Sequence, residues 1–258
     1  MKKNFLVTIT NELGKVDNQT KIEKIINTKD IPFDKHFFIK TDRYTLTKNQ
    51  DWLPSRMIGH VGSLPFKLLF WDWDMGWGPD RDRARVALSI LENEKNLKNI
   101  TMRLNYNEPL YDVYRLFTES ALKERNPFLA RATLGLFSTL GGELFAELGR
   151  GDYYNPYTQT AVNYSNVESI FAHEVGHAKD FKRFNEDWIY SICRPLPPVM
   201  LYQEAKASLN AKELLSPNDS NQIYRYLVPA FLTYVAGMAS KMFRRKKIIP
   251  PVAQPNQP

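Results

Sequence analysis

The chain has 258 residues, 43% of them hydrophobic, and a formal net charge of +7 at neutral pH. That length and apolar content suit one main domain with additions and a real core. A single cysteine, Cys193, excludes an intramolecular disulfide and any cysteine-rich metal site, and it reads as a plain structural cysteine. The positive charge points to acidic partners or a membrane surface. No helix-turn-helix or aromatic–basic sheet pattern accompanies it, so no nucleic-acid partner is expected.

The first ten residues begin like a secretion signal, but the apolar run is short and Asn11, Glu12 and Lys15 follow. No cleavable signal is expected, and the implied location is cytoplasmic or peripheral to a membrane. Residues 1–60 are polar and read as a partly ordered N-terminal extension, with β-like runs at Phe5–Thr10 and His36–Lys40. His36, and His60 in a glycine-flanked loop, carry no expected catalytic role. Lys67–Trp71 is a compact apolar run that predicts a buried strand. The stretch from Asp72 to Asp80, with Gly76, Gly78 and Pro79, is a loop, and Trp71, Trp73 and Trp77 read as packing it rather than lining a cleft.

Arg81–Leu97 predicts an amphipathic helix with Ala84, Ala87, Leu88 and Leu91 on one stripe. Ile100–Leu104 alternates as a strand, which makes a parallel βαβ unit of the segment. Glu108–Glu124 predicts a helix starting near Pro109. Pro127–Leu148 is apolar but interrupted by Glu143 and Glu147. It falls short of the roughly 20 residues a membrane span needs, and reads as a buried helix or an interfacial hairpin. Residues 149–156 are turn-rich, and Thr160–Tyr164 alternates as an edge strand.

The next segment is His173-Glu174-Val175-Gly176-His177. On a helix, residues four apart share a face at about 5–6 Å between Cβ atoms, so two imidazoles can point at one ion. Catalytic zinc commonly has three protein ligands and an open position, and Glu174 stands where a carboxylate reaches water in that position as general base. Two of the four histidines of the chain lie here. Ser165 followed by Glu168 reads as a capping box, and Ile170, Phe171, Val175, Ala178 and Phe181 supply apolar contacts.

A third ligand is expected from the helix Val199–Leu214, after the break at Pro195-Leu196-Pro197-Pro198. Glu204 is the chosen candidate, since Ala207 and Ser208 would let its helix pack closely beside the histidines. Asp180, Glu186 and Asp187 lie nearer in sequence. Asp180, on the histidine face, suits a partner that accepts an imidazole N–H and orients the ring.

His173-Glu-Val-Gly-His177 with Glu204 in Glu-Ala-Lys-Ala-Ser resembles the gluzincin group of zinc metallopeptidases. Asp152-Tyr-Tyr-Asn-Pro-Tyr-Thr-Gln-Thr-Ala-Val-Asn-Tyr-Ser resembles, more narrowly, a family of bacterial zincin-like proteins. The likeness runs from about Lys67 to about Gly237 and is densest over 151–181. It implies an α+β zincin fold, a small mixed twisted sheet packed on an active-site helix, with a helical C-terminal part and Zn2+ as cofactor. It also implies a cleft bordered by an edge strand that receives an extended peptide. It implies no particular substrate. One departure stands out: thermolysin-like gluzincins carry an acid four residues after the ligand Glu, where this chain has Ser208. That leaves the supporting partners of the ligands to Asp180 and Ser208.

The run from Tyr226 to Ala239 is apolar, and Lys241, Arg244, Arg245, Lys246 and Lys247 follow. It reads first as a core helix, with peripheral membrane contact through 226–247 as the alternative. Residues 248–258 are proline-rich and read as a disordered tail, which leaves 61–247 as the metal-binding domain. The expected function is a zinc-dependent metallopeptidase acting on a peptide or protein. A hydrolase of another amide or ester and a zincin-shaped protein without turnover are the alternatives. Tyr153, Tyr154, Tyr190, Tyr202, Tyr224 and Tyr226 are all open candidates for the donor that a developing oxyanion needs.

Overall fold

The computed structural model describes residues 5–8, 36–49, 53–73, 75–143, 146, 149–184, 187–216 and 221–245. The tail 248–258 and the side chains of Glu147, Glu186 and Asp187 lie outside the described residues. The fold is α+β, built on a mixed sheet of order β1-β2-β3-β4-β6-β5. Its strands are β1 (Phe5–Thr8), β2 (Phe37–Lys40), β3 (Tyr44–Lys48), β4 (Ile100–Leu104), β5 (Tyr153–Asn155) and β6 (Thr160–Asn163). β3, β4 and β6 run parallel in the centre, with Leu46 opposite Met102 and Met102 opposite Ala161. β5 runs antiparallel to β6 and ends the sheet. Residues 37–48, read from sequence as part of an extension, thus supply two strands of the central sheet.

The helices are α1 (Leu53–Gly62), α2 (Leu64–Phe70), α3 (Arg81–Asn93), α4 (Pro109–Thr118), α5 (Ser120–Arg125) and α6 (Phe128–Ala130). α6 continues through two wide turns at Arg131–Gly135 and Ser138–Gly142. After the sheet come α7 (Glu168–Phe181), α8 (Asp187–Ile192), α9 (Pro197–Leu214) and α10 (Val228–Arg245). One face of the sheet packs Leu46, Met102 and Leu104 against Leu88 and Leu91 of α3 and Phe171 and Val175 of α7. Each such large side chain, fully buried, contributes about 1.5–3 kcal/mol. The stripe read from sequence on α3 is buried as expected. The opposite face is polar: Arg103 of β4 donates to Asp112 of α4, and Arg115 of α4 donates to Asp112 and to Thr160 of β6.

Five expectations are corrected. Lys67–Trp71 is not a strand but the body of α2, which starts with Pro65 in its first turn and ends where Trp71 turns left-handed at φ 52°. A short apolar run carries no period that separates strand from helix, and here Leu68 and Leu69 face outward. A parallel βαβ unit does exist, but its first strand is β3. Residues 149–156 hold a strand, β5, and it rather than β6 is the edge, because β6 lies between β4 and β5. The helix at 128–142 is neither buried nor a hairpin: Leu129 and Phe137 face outward and its polar Thr139 and Glu143 face inward. The helix expected over Glu108–Glu124 is broken at Glu119, whose extended backbone separates α4 from α5.

Candidate metal centre

α7 starts without the capping box expected at Ser165 and Glu168; its N-cap is Val167 and has no side-chain cap. Both polar residues are engaged elsewhere. Asp152 accepts the backbone N–H groups of Tyr164 at 2.8 Å and Ser165 at 3.1 Å, together with the Ser165 hydroxyl. Glu168 accepts from Arg83 and from Gln222. These bonds tie the entry of the helix to β5, α3 and the segment before α10. Phe171, Ala172, Val175 and Ala178 then bury α7 under the sheet.

α9 crosses α7 at Gly176. A Cβ there would lie 2.3 Å from the Ala207 carbonyl oxygen, so only glycine admits this approach. Asn210 fixes the crossing by donating to the Gly176 carbonyl at 2.9 Å. The small-residue pattern at Ala207 and Ser208 therefore acts as expected, with Gly176 as its counterpart on α7.

That crossing brings the Glu204 carboxylate to the two imidazoles. Glu204 Oε2 lies 3.2 Å from His173 Nε2 and 3.6 Å from His177 Nε2. The three candidate ligand atoms all lie within 4.8 Å of one another, and the group could hold a metal ion. Donor atoms that share one small cation at bonds near 2 Å sit roughly 3–3.5 Å apart, and the two Glu204–imidazole distances are close to that.

The charge states suit ligands. Burial pushes the His177 imidazole down to about 4, against a raising hydrogen bond from Glu204, and leaves the ring neutral. Burial raises the Glu204 carboxyl, but the hydrogen bonds of His173 and His177 and the charges of His177 and Arg194 hold it well below the carboxylate range. Burial, joined by the charges of Asp152 and Glu204, pushes Glu174 well above it.

The supporting partners differ from those expected. Asp180 touches neither imidazole; it accepts from the Tyr190 hydroxyl and pairs with Arg183. The α8 tyrosine captures it, while His177 lies parallel to the Tyr154 ring at 6.4 Å, its Nδ1 without a hydrogen-bond partner among the described residues. Ser208 does reach the site, with its hydroxyl 3.2 Å from His173 Nδ1. Arg194, next to Cys193 in the chain, joins them. Its guanidinium donates to Glu204 Oε1 at 2.5 Å and to Gln203 Oε1 at 3.0 Å. Glu204 thus offers one oxygen to the histidines and gives the other to Arg194. No motif around Arg194 marked it; the contact arises from the turn between α8 and α9.

His173, Glu174, Glu204 and Ser208 line a partly open cavity of about 160 Å³, together with Ile170, Leu227, Ala230, Phe231 and Tyr234. None of the six tyrosines weighed from the sequence lines it. Tyr153 bonds Ser138, Tyr190 bonds Asp180, Tyr226 bonds Asp72, and Tyr202 and Tyr224 are exposed. Tyr234 of α10 does line it, its hydroxyl pushed up by burial and by the charge of Glu204. Neither His36, His60 nor the tryptophans approach it; Trp77 packs on His60, which lies in α1 rather than in a loop, and Trp71 and Trp73 are exposed. A larger cavity of about 680 Å³ lies on the Arg103 side of the sheet and includes none of the three candidate ligands. No family model, curated protein or solved structure matches the chain.

Proposed function

We propose that the chain is a zinc-dependent hydrolase of zincin type that cleaves peptide bonds. The observation that carries this reading is the opening of Glu174 into the cavity lined by His173 and Glu204, which together with His177 form the candidate ligand group. Held by those three, zinc supplies Lewis acidity for a carbonyl and for water. With a cation in the site offsetting the burial and negative charges that raise it, Glu174 would ionise and take the proton from the attacking water as the water oxygen bonds to the carbonyl carbon. It then passes that proton to the leaving nitrogen as the C–N bond breaks. Tyr234 is the proposed hydrogen-bond donor to the developing oxyanion. β5 ends the sheet beside the site, with Tyr154 against His177, and an edge strand is the element with which an extended substrate pairs.

The test joins metal analysis to turnover. Purified protein is expected to carry about one zinc per chain, Glu204→Ala to lose it, and wild type to cleave members of a broad peptide library. Zinc bound without cleavage of peptides would move the reading to another amide or ester. Absence of stoichiometric metal in wild type would remove it.

A further inference from the structure

Among the described residues no helix is long and apolar enough to cross a membrane. Yet α10 is not the core helix that its sequence suggests. Every residue from Leu232 to Gly237 is exposed, although Leu232, Tyr234, Val235 and Ala236 make the run apolar. A helix apolar on most sides buries against something.

A second unburied surface adjoins it. α1 and α2 follow one another with only Ser63 between them, and Met57, Val61, Leu64 and Leu68 recur at helical spacing, all exposed. Trp71 and Trp73 extend the stripe, 74% and 51% exposed. Trp71 holds a left-handed backbone, a conformation costly for a bulky residue, and leaves its ring in water. The two surfaces are fastened together at one end. Arg225 donates to the carbonyls of Phe70 and Trp71, the Tyr226 hydroxyl donates to Asp72 at 2.6 Å, and the Phe70 and Tyr226 rings touch.

Charge selects the occupant. No Asp or Glu follows Asp219 in the sequence, whereas Arg225, Lys241, Arg244, Arg245, Lys246 and Lys247 do. An apolar helix ending in a cationic run, beside exposed tryptophans, matches the interface of an anionic bilayer, where aromatic rings sit at headgroup depth and cations meet acidic lipids. We infer that α10 and the α1–α2 stripe dock the chain on an anionic lipid bilayer. Because Ala230, Phe231 and Tyr234 of α10 also wall the metal cavity, docking holds that cavity at the lipid surface. On the hydrolase reading above, on which this last step rests, the substrates are polypeptides carried at the membrane.

The test is co-sedimentation of the full chain with vesicles of phosphatidylcholine plus phosphatidylserine, and with phosphatidylcholine alone. Wild type and Glu174→Gln are expected to pellet equally with the anionic vesicles and far less with the neutral ones, and to be released by salt. Leu232→Glu with Val235→Glu, and separately Leu68→Glu with Trp71→Glu, are each expected to lose binding. Lys246→Ala with Lys247→Ala is expected to weaken it on the order of tenfold. Failure of wild type to pellet with anionic vesicles, or pelleting of both Glu pairs like wild type, overturns the inference. So does a vesicle-free dimer that Leu232→Glu dissociates, since a second copy would then cover the face. Because Glu174→Gln reports docking without turnover, a failed hydrolase reading leaves the docking result readable, and the reverse.

Discussion

Glu204 shares its two oxygens between different tasks, and Arg194 governs the second. Arg194→Ala frees Oε1 and lets the carboxylate rotate away from the histidines. Zinc affinity is expected to drop by roughly 10–100-fold, read by competition with a chelating dye, since partners that orient ligands carry that much. On the hydrolase reading, Glu174→Gln keeps the candidate ligands and removes the proposed proton acceptor. Its kcat on a peptide substrate is expected to fall about 10²–10⁴-fold with zinc content unchanged. At this scale the sequence was uneven. His173, Glu174 and His177 declare themselves because helical spacing alone sets their geometry. Glu204 was reachable through the small residues that follow it. Asp180 misled, because sharing a helix face says nothing of what the neighbouring helix offers, and Tyr190 offers a hydroxyl. Arg194 and Tyr234 were invisible as site residues, since a turn and a distant helix bring them there.

The contact between α7 and α9 turns two helices into one site. Gly176→Ala puts a methyl group 2.3 Å from the Ala207 carbonyl, a backbone atom that cannot swing aside. The helices are expected to separate, at a cost of about 1–3 kcal/mol read by urea unfolding. Zinc affinity should fall with it, because Glu204 moves with α9 while the histidines stay on α7. Elements with strong periodicity, such as α3 and α7, were legible from the sequence. α2 was not, because Leu64, Leu68 and Leu69 face outward rather than into the core, and apolar content alone implied burial. β5 was hidden for another reason: three residues in a Gly-, Asn- and Pro-bearing stretch give no alternation to read, and pairing with β6 makes the strand.

Across the whole molecule, the two faces of the sheet hold together by different physics. The α3 and α7 face is oily. The α4 and α6 face is an ionic and amide network in which Glu143 accepts from Asn155 and lies near Asp112. Burial first, and then the Asp112 charge, push the Glu143 carboxyl from 4.5 up to about 8. Folded protein therefore keeps a proton there that unfolded chain releases, and this group's contribution to stability falls as pH rises from 4.5 to about 8. Glu143→Gln, which stays neutral, is expected to match wild type near the lower value. It should be the more stable of the two above the upper one, read as the difference between their unfolding midpoints. The pairing of β3, β4 and β6 joins strands far apart in the chain, so the sheet order had no local trace in the sequence beyond a single parallel unit. The ligand set is long-range too: His173 and Glu204 stand 31 positions apart. On the metal reading, an ion gripping both would act as a removable rivet between distant segments and would bind the native chain rather than the denatured one. Melting temperature should climb with free zinc, by about 1.4 kcal/mol of stability per tenfold once the ion is saturating. A chelator should reverse the climb, and Glu204→Ala should be indifferent to both.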